Sequence, residues 1–185
     1  MNKVFVVVDT ETTGSNPLLG DRIIEIAAIP IYHGKIYYEL RFHSLINPQV
    51  TIPAAISSIH GLKNTDVNDE PSMLEVFPKF REYVGNAVIV GHSIAVDMRF
   101  FDMAAKEAGM FPFSNDYIDT YELARSLFKE GPYSLAGLAA RLKVRDVPTH
   151  RALDDARVAA KVFLALVEKL GGFSKLGIYL RHWRG

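Results

Sequence analysis

The chain contains no cysteine, which excludes thiol catalysis, zinc–thiolate sites and disulfide staples together. It also lacks a long hydrophobic run, since no stretch reaches the ~20 apolar residues that a membrane helix needs. Met1-Asn2-Lys3 leads straight into a short apolar run that stops at Asp9, without the basic start, apolar stretch and small-residue cleavage site of a secretory signal. The expectation is a soluble, cytoplasmic protein with no membrane partner. There is no excess of one charge, because 21 Lys and Arg balance 21 Asp and Glu. A protein that coats duplex DNA draws its affinity from many basic residues that release condensed counterions, so a neutral chain argues against that class. What remains is 185 residues of which 49% are apolar, enough for one domain to bury a continuous core unaided.

The charges are unevenly spread. Residues 1–119 carry 9 Lys and Arg against 15 Asp and Glu, whereas residues 120–185 carry 12 against 6. Either solvated helix faces have drifted in composition, or the acids hold a metal early in the chain and the bases hold a strand later.

Residues 4–8 form an unbroken β-branched and aromatic run, short enough to be a strand covered on both faces. Residues 23–31, the His33-Gly34 turn and residues 36–46 then read as a hairpin, so the first three strands make an antiparallel meander. Ser72 and Glu75 form a capping box that starts a helix at Met73 and carries it to Gly85, and Pro78 inside it predicts a kink or an early break. Residues 87–90 are a fourth strand and 117–119 a fifth. Phe100, Phe101, Ala104, Ala105 and Ala108 recur at helical spacing before Gly109. Further helices are predicted over 120–128, 134–142 and 151–170, the last stopped by Gly171-Gly172. With no internal repeat or low-complexity tract, the economical architecture is one α/β domain over residues 1–172, with a central mixed five-stranded sheet flanked by helices. A short basic tail over 173–185 follows.

Asp9 and Glu11 stand two apart at the end of the first strand, so both side chains leave one face. Two carboxylates leaving water together need a cation or a proton. The plain alternative is a strand that ends there, with Thr12-Thr13-Gly14 beginning a loop, and the pair alone does not decide. Asp97 lies in line with Phe101, Ala104 and Ala108 and should face the core, whereas Asp102 lies near Arg99 and Lys106 on what reads as a solvated, salt-bridged face. Asp155 and Asp154 divide in the same way. Asp155 shares a stripe with Ala159, Val162 and Leu166, while Asp154 shares one with Lys161 and Glu168. Asp155 also falls in the first helical turn, where the dipole favours a negative charge. His150 precedes it by five residues and so sits in the loop before the helix, half-exposed, as suits a group that deprotonates water near neutral pH. A lone loop histidine is ordinarily a surface residue, so that role depends on the carboxylates around it.

Asp9-Thr10-Glu11-Thr12-Thr13-Gly14, His92-Ser93-Ile94-Ala95-Val96-Asp97 and His150-Arg151-Ala152-Leu153-Asp154-Asp155-Ala156 together resemble the three motifs of the DEDDh family of 3′-to-5′ exonucleases. Within it the likeness is greatest to the epsilon proofreading subunit of bacterial DNA polymerase III and its stand-alone relatives. Ile59-His60-Gly61-Leu62, the stretch Asp119-Thr120-Tyr121-Glu122-Leu123-Ala124-Arg125, and Ser134-Leu135 look like further landmarks and extend the likeness over nearly the whole chain. The resemblance implies a ribonuclease H-like fold. It implies two divalent ions, Mg²⁺ or Mn²⁺, held by Asp9, Glu11, Asp97 and Asp155, with His150 as general base. It also implies contacts from Thr10, Thr12, His60, His92 and Ser93 to the terminal nucleotide of a single strand, and a DNA polymerase subunit as a partner. Ser93 and Val96 depart from the family, which usually has Asn and an aromatic residue there. The missing aromatic removes a stacking partner worth ~1–3 kcal/mol per base. Only 15 residues follow Leu170, where the polymerase-bound subunit typically continues into a longer segment.

The implied reaction is removal of nucleoside 5′-monophosphates from single-stranded DNA 3′ ends. An exoribonuclease or oligoribonuclease would carry the same residues, because the sugar preference depends on what meets a 2′-hydroxyl. A catalytically weak module that only binds 3′ ends would be expected to lack an acid or His150, and all five are present. A structural protein with accidental acids would be indifferent to divalent ions.

Overall fold

The computed structural model describes residues 3–184. Its single sheet contains β1 (Phe5–Thr12), β2 (Ile23–Tyr32), β3 (Lys35–Ile36), β4 (Phe42–Leu45), β5 (Val88–Gly91), β6 (Asp116–Asp119) and β7 (Arg181–His182). The order is β3-β2-β1-β5-β6-β7, with β4 also on β2. β1 is central, antiparallel to β2 and parallel to β5, so the sheet is mixed as expected. The helices are α1 (Ala54–His60), α2 (Asn64–Val67), α3 (Met73–Val84), α4 (Ala95–Glu107), α5 (Thr120–Leu127), α6 (Leu135–Arg141) and α7 (Ala152–Leu170). Among the described residues no helix is long and apolar enough to cross a membrane.

Alternation along β1 sorts the two cores. Val6 and Val8 enter a cluster with Phe77, Phe80 and Phe101 from α3 and α4. Phe5 and Val7 enter one with Leu123, Leu138, Val162, Phe163 and Leu166 from α5, α6 and α7. A fully buried Phe contributes ~1.5–3 kcal/mol, so both faces are firmly anchored. The same parity sends Asp9 and Glu11 toward α7, and Thr10 and Thr12 toward the other face. α7 ends where Gly171 turns left-handed at φ 96° and Gly172 N–H reaches back to the Val167 carbonyl, a cap open to glycine because it has no Cβ.

Three details differ from the sequence-based expectation. The sheet has seven strands rather than five. The single strand expected over 36–46 is divided into β3, a 3-10 turn at Tyr38–Leu40, and β4. Pro30 explains the division: its carbonyl accepts from Tyr37 N–H at 3.0 Å, but it has no N–H to return, so the ladder cannot continue. The remaining extra strand, β7, pairs with β6, and Leu176 just before it is fully buried against α7. Pro78 does not end α3 early: the helix runs through to Val84. The carbonyl that Pro78 leaves without a donor belongs to Leu74, which is 51% exposed, so water can satisfy it. Asp102 is not salt-bridged on a wet face, since both of its oxygens lie 3.0 Å from the Trp183 indole Nε1.

Candidate active site

β1 delivers Asp9 and Glu11 to the face that α7 covers, and α7 meets them with its first turn. Small residues let the two approach: Ala27 of β2 packs against Ala152 and Ala156 at the start of α7. Asp155 is consequently 7% exposed, and carboxylate oxygens of Asp9, Glu11 and Asp155 lie within 4.8 Å of one another. Asp97, in the first turn of α4, is outside that group of three. Its Oδ1 accepts a 2.5 Å hydrogen bond from the Thr10 hydroxyl, and it is near enough to Asp9 to act on its charge.

The electrostatics follow from that geometry. Burial pushes the Asp9 carboxyl well above its ordinary range, and Asp97, Asp155 and Glu11 push it further. Burial, then Asp155, Glu25 and Asp97, raise Glu11 to about 8. Asp97 is raised to about 7 by burial, with the Thr10 hydrogen bond opposing. Burial also raises Asp155, although Thr149 N–H donates to its Oδ1 at 2.8 Å. Among the described residues none of these four acids is in an ion pair with Lys or Arg. An all-oxygen set with unbalanced negative charge suits a hard divalent cation.

His150 lies in the exposed segment before α7 at φ 57°. Asp154 points away from the cluster and pairs with Arg157 at 3.2 Å, while Lys161 takes Asp146 instead. His60 is 4% exposed, and its Nδ1 accepts from Leu62 N–H at 3.0 Å. Nε2 must therefore carry the proton, and it has no hydrogen-bond partner among the described residues. Burial lowers the His60 pKa, and Glu25, Arg151 and His150 are close enough to act on it, which places it near the segment that leads into α7. The Thr12 hydroxyl donates to the Gly14 carbonyl at 2.5 Å. His92 Nδ1 lies 3.0 Å from the Thr120 hydroxyl, and Ser93, at φ 60°, donates its N–H to Asp119 at 2.9 Å.

Two acids of this region receive no site role from sequence reasoning: Asp119 enters only within a family landmark, and Glu25 not at all. Asp119 caps α5 by accepting from Tyr121 N–H, and its place before a helix was the available signal. Glu25 is 1% exposed in β2, and the signal was a charge set inside the apolar run 23–31.

The family model described as RNase_T, Exonuclease, matches residues 6–163. The chain belongs to this exonuclease family. It is similar to a DNA polymerase III PolC-type of Thermotoga petrophila, 41% identical over 177 residues, which covers 96% of this chain and 12% of the relative. It is also similar to the 3′-5′ exonuclease DinG of Bacillus subtilis, 39% identical over 173 residues, covering 92% of this chain and 18% of the relative. The chain thus spans less than a fifth of the length of these curated relatives. Exonuclease X, solved in complex with 5′-overhanging duplex DNA, superposes with a TM-score of 0.74 at 26% identity, covering 90% of this chain and 93% of that one. The DEDDh resemblance and the ribonuclease H-like fold are both borne out.

Proposed function

We propose that the chain is a metal-dependent 3′-to-5′ exonuclease that removes nucleoside 5′-monophosphates from single-stranded DNA 3′ ends, in proofreading or repair. The observation that carries this reading is the meeting of Asp9, Glu11 and Asp155 within 4.8 Å, without a basic partner for any of them among the described residues. Asp97 completes the ligand set, oriented by Thr10. Two Mg²⁺ or Mn²⁺ ions held there would supply Lewis acidity toward the attacking water and the leaving 3′ oxygen. His150 accepts the water's proton as the new P–O bond forms and the bond to the 3′ oxygen breaks, and that oxygen leaves as an alkoxide that takes a proton from solvent water to become the 3′ hydroxyl. The unpartnered His60 Nε2–H and the Thr12 hydroxyl hold the terminal nucleotide, with His92 and Ser93 on the strand side. The exonuclease domain is centred on residues 1–172, and the basic segment 173–185 packs back onto it through Leu176 and β7. Relatives named for DNA polymerase III and for 3′-5′ exonuclease activity support the polarity and a polymerase subunit as partner, and cytoplasmic work is part of the same reading.

The test uses 5′-labelled linear and internally labelled circular single strands of DNA and RNA, with and without EDTA. Stepwise shortening of linear DNA that stops in EDTA and spares circles is expected. Cleaved circles, or full activity in EDTA after dialysis, would overturn the reading. Faster shortening of RNA would reassign the enzyme to the exoribonucleases, and protection of 3′ ends without hydrolysis would make it a binding module.

A further inference from the structure

Glu25 has no part in the proposed chemistry, yet it is the most buried charged side chain among the described residues. Its Cα is the register partner of Glu11, so antiparallel pairing turns both side chains to the face that α7 covers. An additional carboxylate beside three unbalanced ones adds repulsion. Its oxygens are nevertheless fully occupied. Oε1 lies 2.7 Å from His43 Nε2 and accepts from Arg151 Nη2 at 3.1 Å, while Oε2 accepts from Arg151 Nε at 2.9 Å and from Ala152 N–H at 3.1 Å. Four donors on two oxygens leave no lone pair for a cation, so Glu25 is not a metal ligand although it stands next to one.

Its contacts converge on the start of α7. The N-cap residue Arg151 supplies no side-chain cap, and the cap on Ala152 comes from the sheet instead. On the other side of His150, Thr149 donates its N–H to Asp155 at 2.8 Å and its hydroxyl to Asp154 at 3.0 Å. His150 therefore lies between two residues that are each tied to other elements, and its own backbone reaches Asp155 as well. It holds φ 57°, a conformation that a non-glycine residue keeps only when its surroundings over-determine it.

We propose that Glu25 is a positioning residue: through its two-pronged hold on Arg151 and its cap on Ala152, it fixes the His150 segment to β2 so that His150 meets the acids, while Asp155 keeps its own place through its helix and Thr149 N–H. The catalytic consequence rests on the exonuclease reading, whereas the tether itself does not.

Arg151→Lys keeps the charge but loses the planar fork, and it separates the possibilities. Hydrogen exchange of the amides of residues 149–152, measured without metal or substrate, should be faster in Arg151→Lys, with exchange in α3 unchanged. In the 5′-labelled strand assay kcat should fall about 10²-fold, the scale of a small misplacement of a reacting group, while KM and the half-saturating Mn²⁺ concentration stay as in the wild type. The paired variant Glu25→Met, Arg151→Met removes both charges together, which a fold commonly tolerates. It should melt near the wild-type temperature and remain slow. Unchanged exchange in Arg151→Lys, a weakened Mn²⁺ response, or wild-type kcat in the paired variant would each overturn the proposal. A wild-type protein that hydrolyses nothing would overturn the exonuclease reading instead, and the exchange measurement would still decide the tether.

Discussion

Glu11 and Glu25 face each other across the β1–β2 pair, share the side that α7 covers, and are both withdrawn from water. Glu11 is raised to about 8 by burial and by Asp155, Glu25 and Asp97, with Arg151 opposing. Burial also pushes Glu25 up, but hydrogen bonds from His43, Arg151 and Ala152 N–H outweigh it and bring that carboxyl down to about 2. The fold has thus neutralised one acid from within and left its neighbour for a charge that comes from outside. Burial raises both carboxyls, so the opposite outcomes come from the neighbours: other acids around Glu11, and hydrogen-bond donors around Glu25.

The contrast is sharpest in activity. Glu11→Gln and Asp155→Asn should each lower exonuclease activity by ~10³-fold or more, since metal charge stabilisation supplies several kcal/mol and each 1.36 kcal/mol is tenfold. The metal-free melting temperature of either variant should be unchanged or higher, because like charges have been separated. Arg151→Met does the reverse and leaves Glu25 buried without its counter-charge. Breaking a buried pair costs ~3–5 kcal/mol, and because Arg151 keeps 39% exposure a loss of ~2–3 kcal/mol is expected in urea unfolding.

The pH dependence of metal-free stability should carry both signatures. Glu11 binds its proton more tightly when folded, about 8 against an ordinary 4.5, so its contribution is full below pH 4.5 and is lost as pH rises to 8. Glu25 is held at about 2 against 4.5, so its contribution is present above pH 4.5 and is lost as pH falls toward 2. Melting curves in EDTA should show both declines, and saturating Mn²⁺ should remove the alkaline one alone. The smallest effect is expected at Asp154, whose exposed pair with Arg157 is worth ~0.5 kcal/mol or less. Asp154→Asn should be nearly silent in activity and melting, next to a residue whose loss is crippling.

Local periodicity carried much of this into view from the sequence. Alternation along β1 put Asp9 and Glu11 on one face, and helical phase separated Asp155 from Asp154. What stayed hidden depends on contacts distant along the chain. Glu25 reads as a flaw in an apolar run until α7 brings Arg151 to it across 126 positions. Asp102 reads as solvated until Trp183 arrives from the other end of the chain. The split of the strand over 36–46 follows from a missing N–H at Pro30 on the neighbouring strand, which the periodicity of 36–46 itself does not contain. The free Nε2–H of His60 depends on which nitrogen Leu62 engages, a matter of side-chain geometry.

Mn²⁺ titration by calorimetry on the wild type, Glu11→Gln and Glu25→Gln addresses the central claim most directly. The wild type is expected to bind Mn²⁺, Glu11→Gln to lose that binding, and Glu25→Gln to keep wild-type affinity despite a lower melting temperature. Equal loss of Mn²⁺ binding in the two variants, or binding that survives in Glu11→Gln, would contradict that claim.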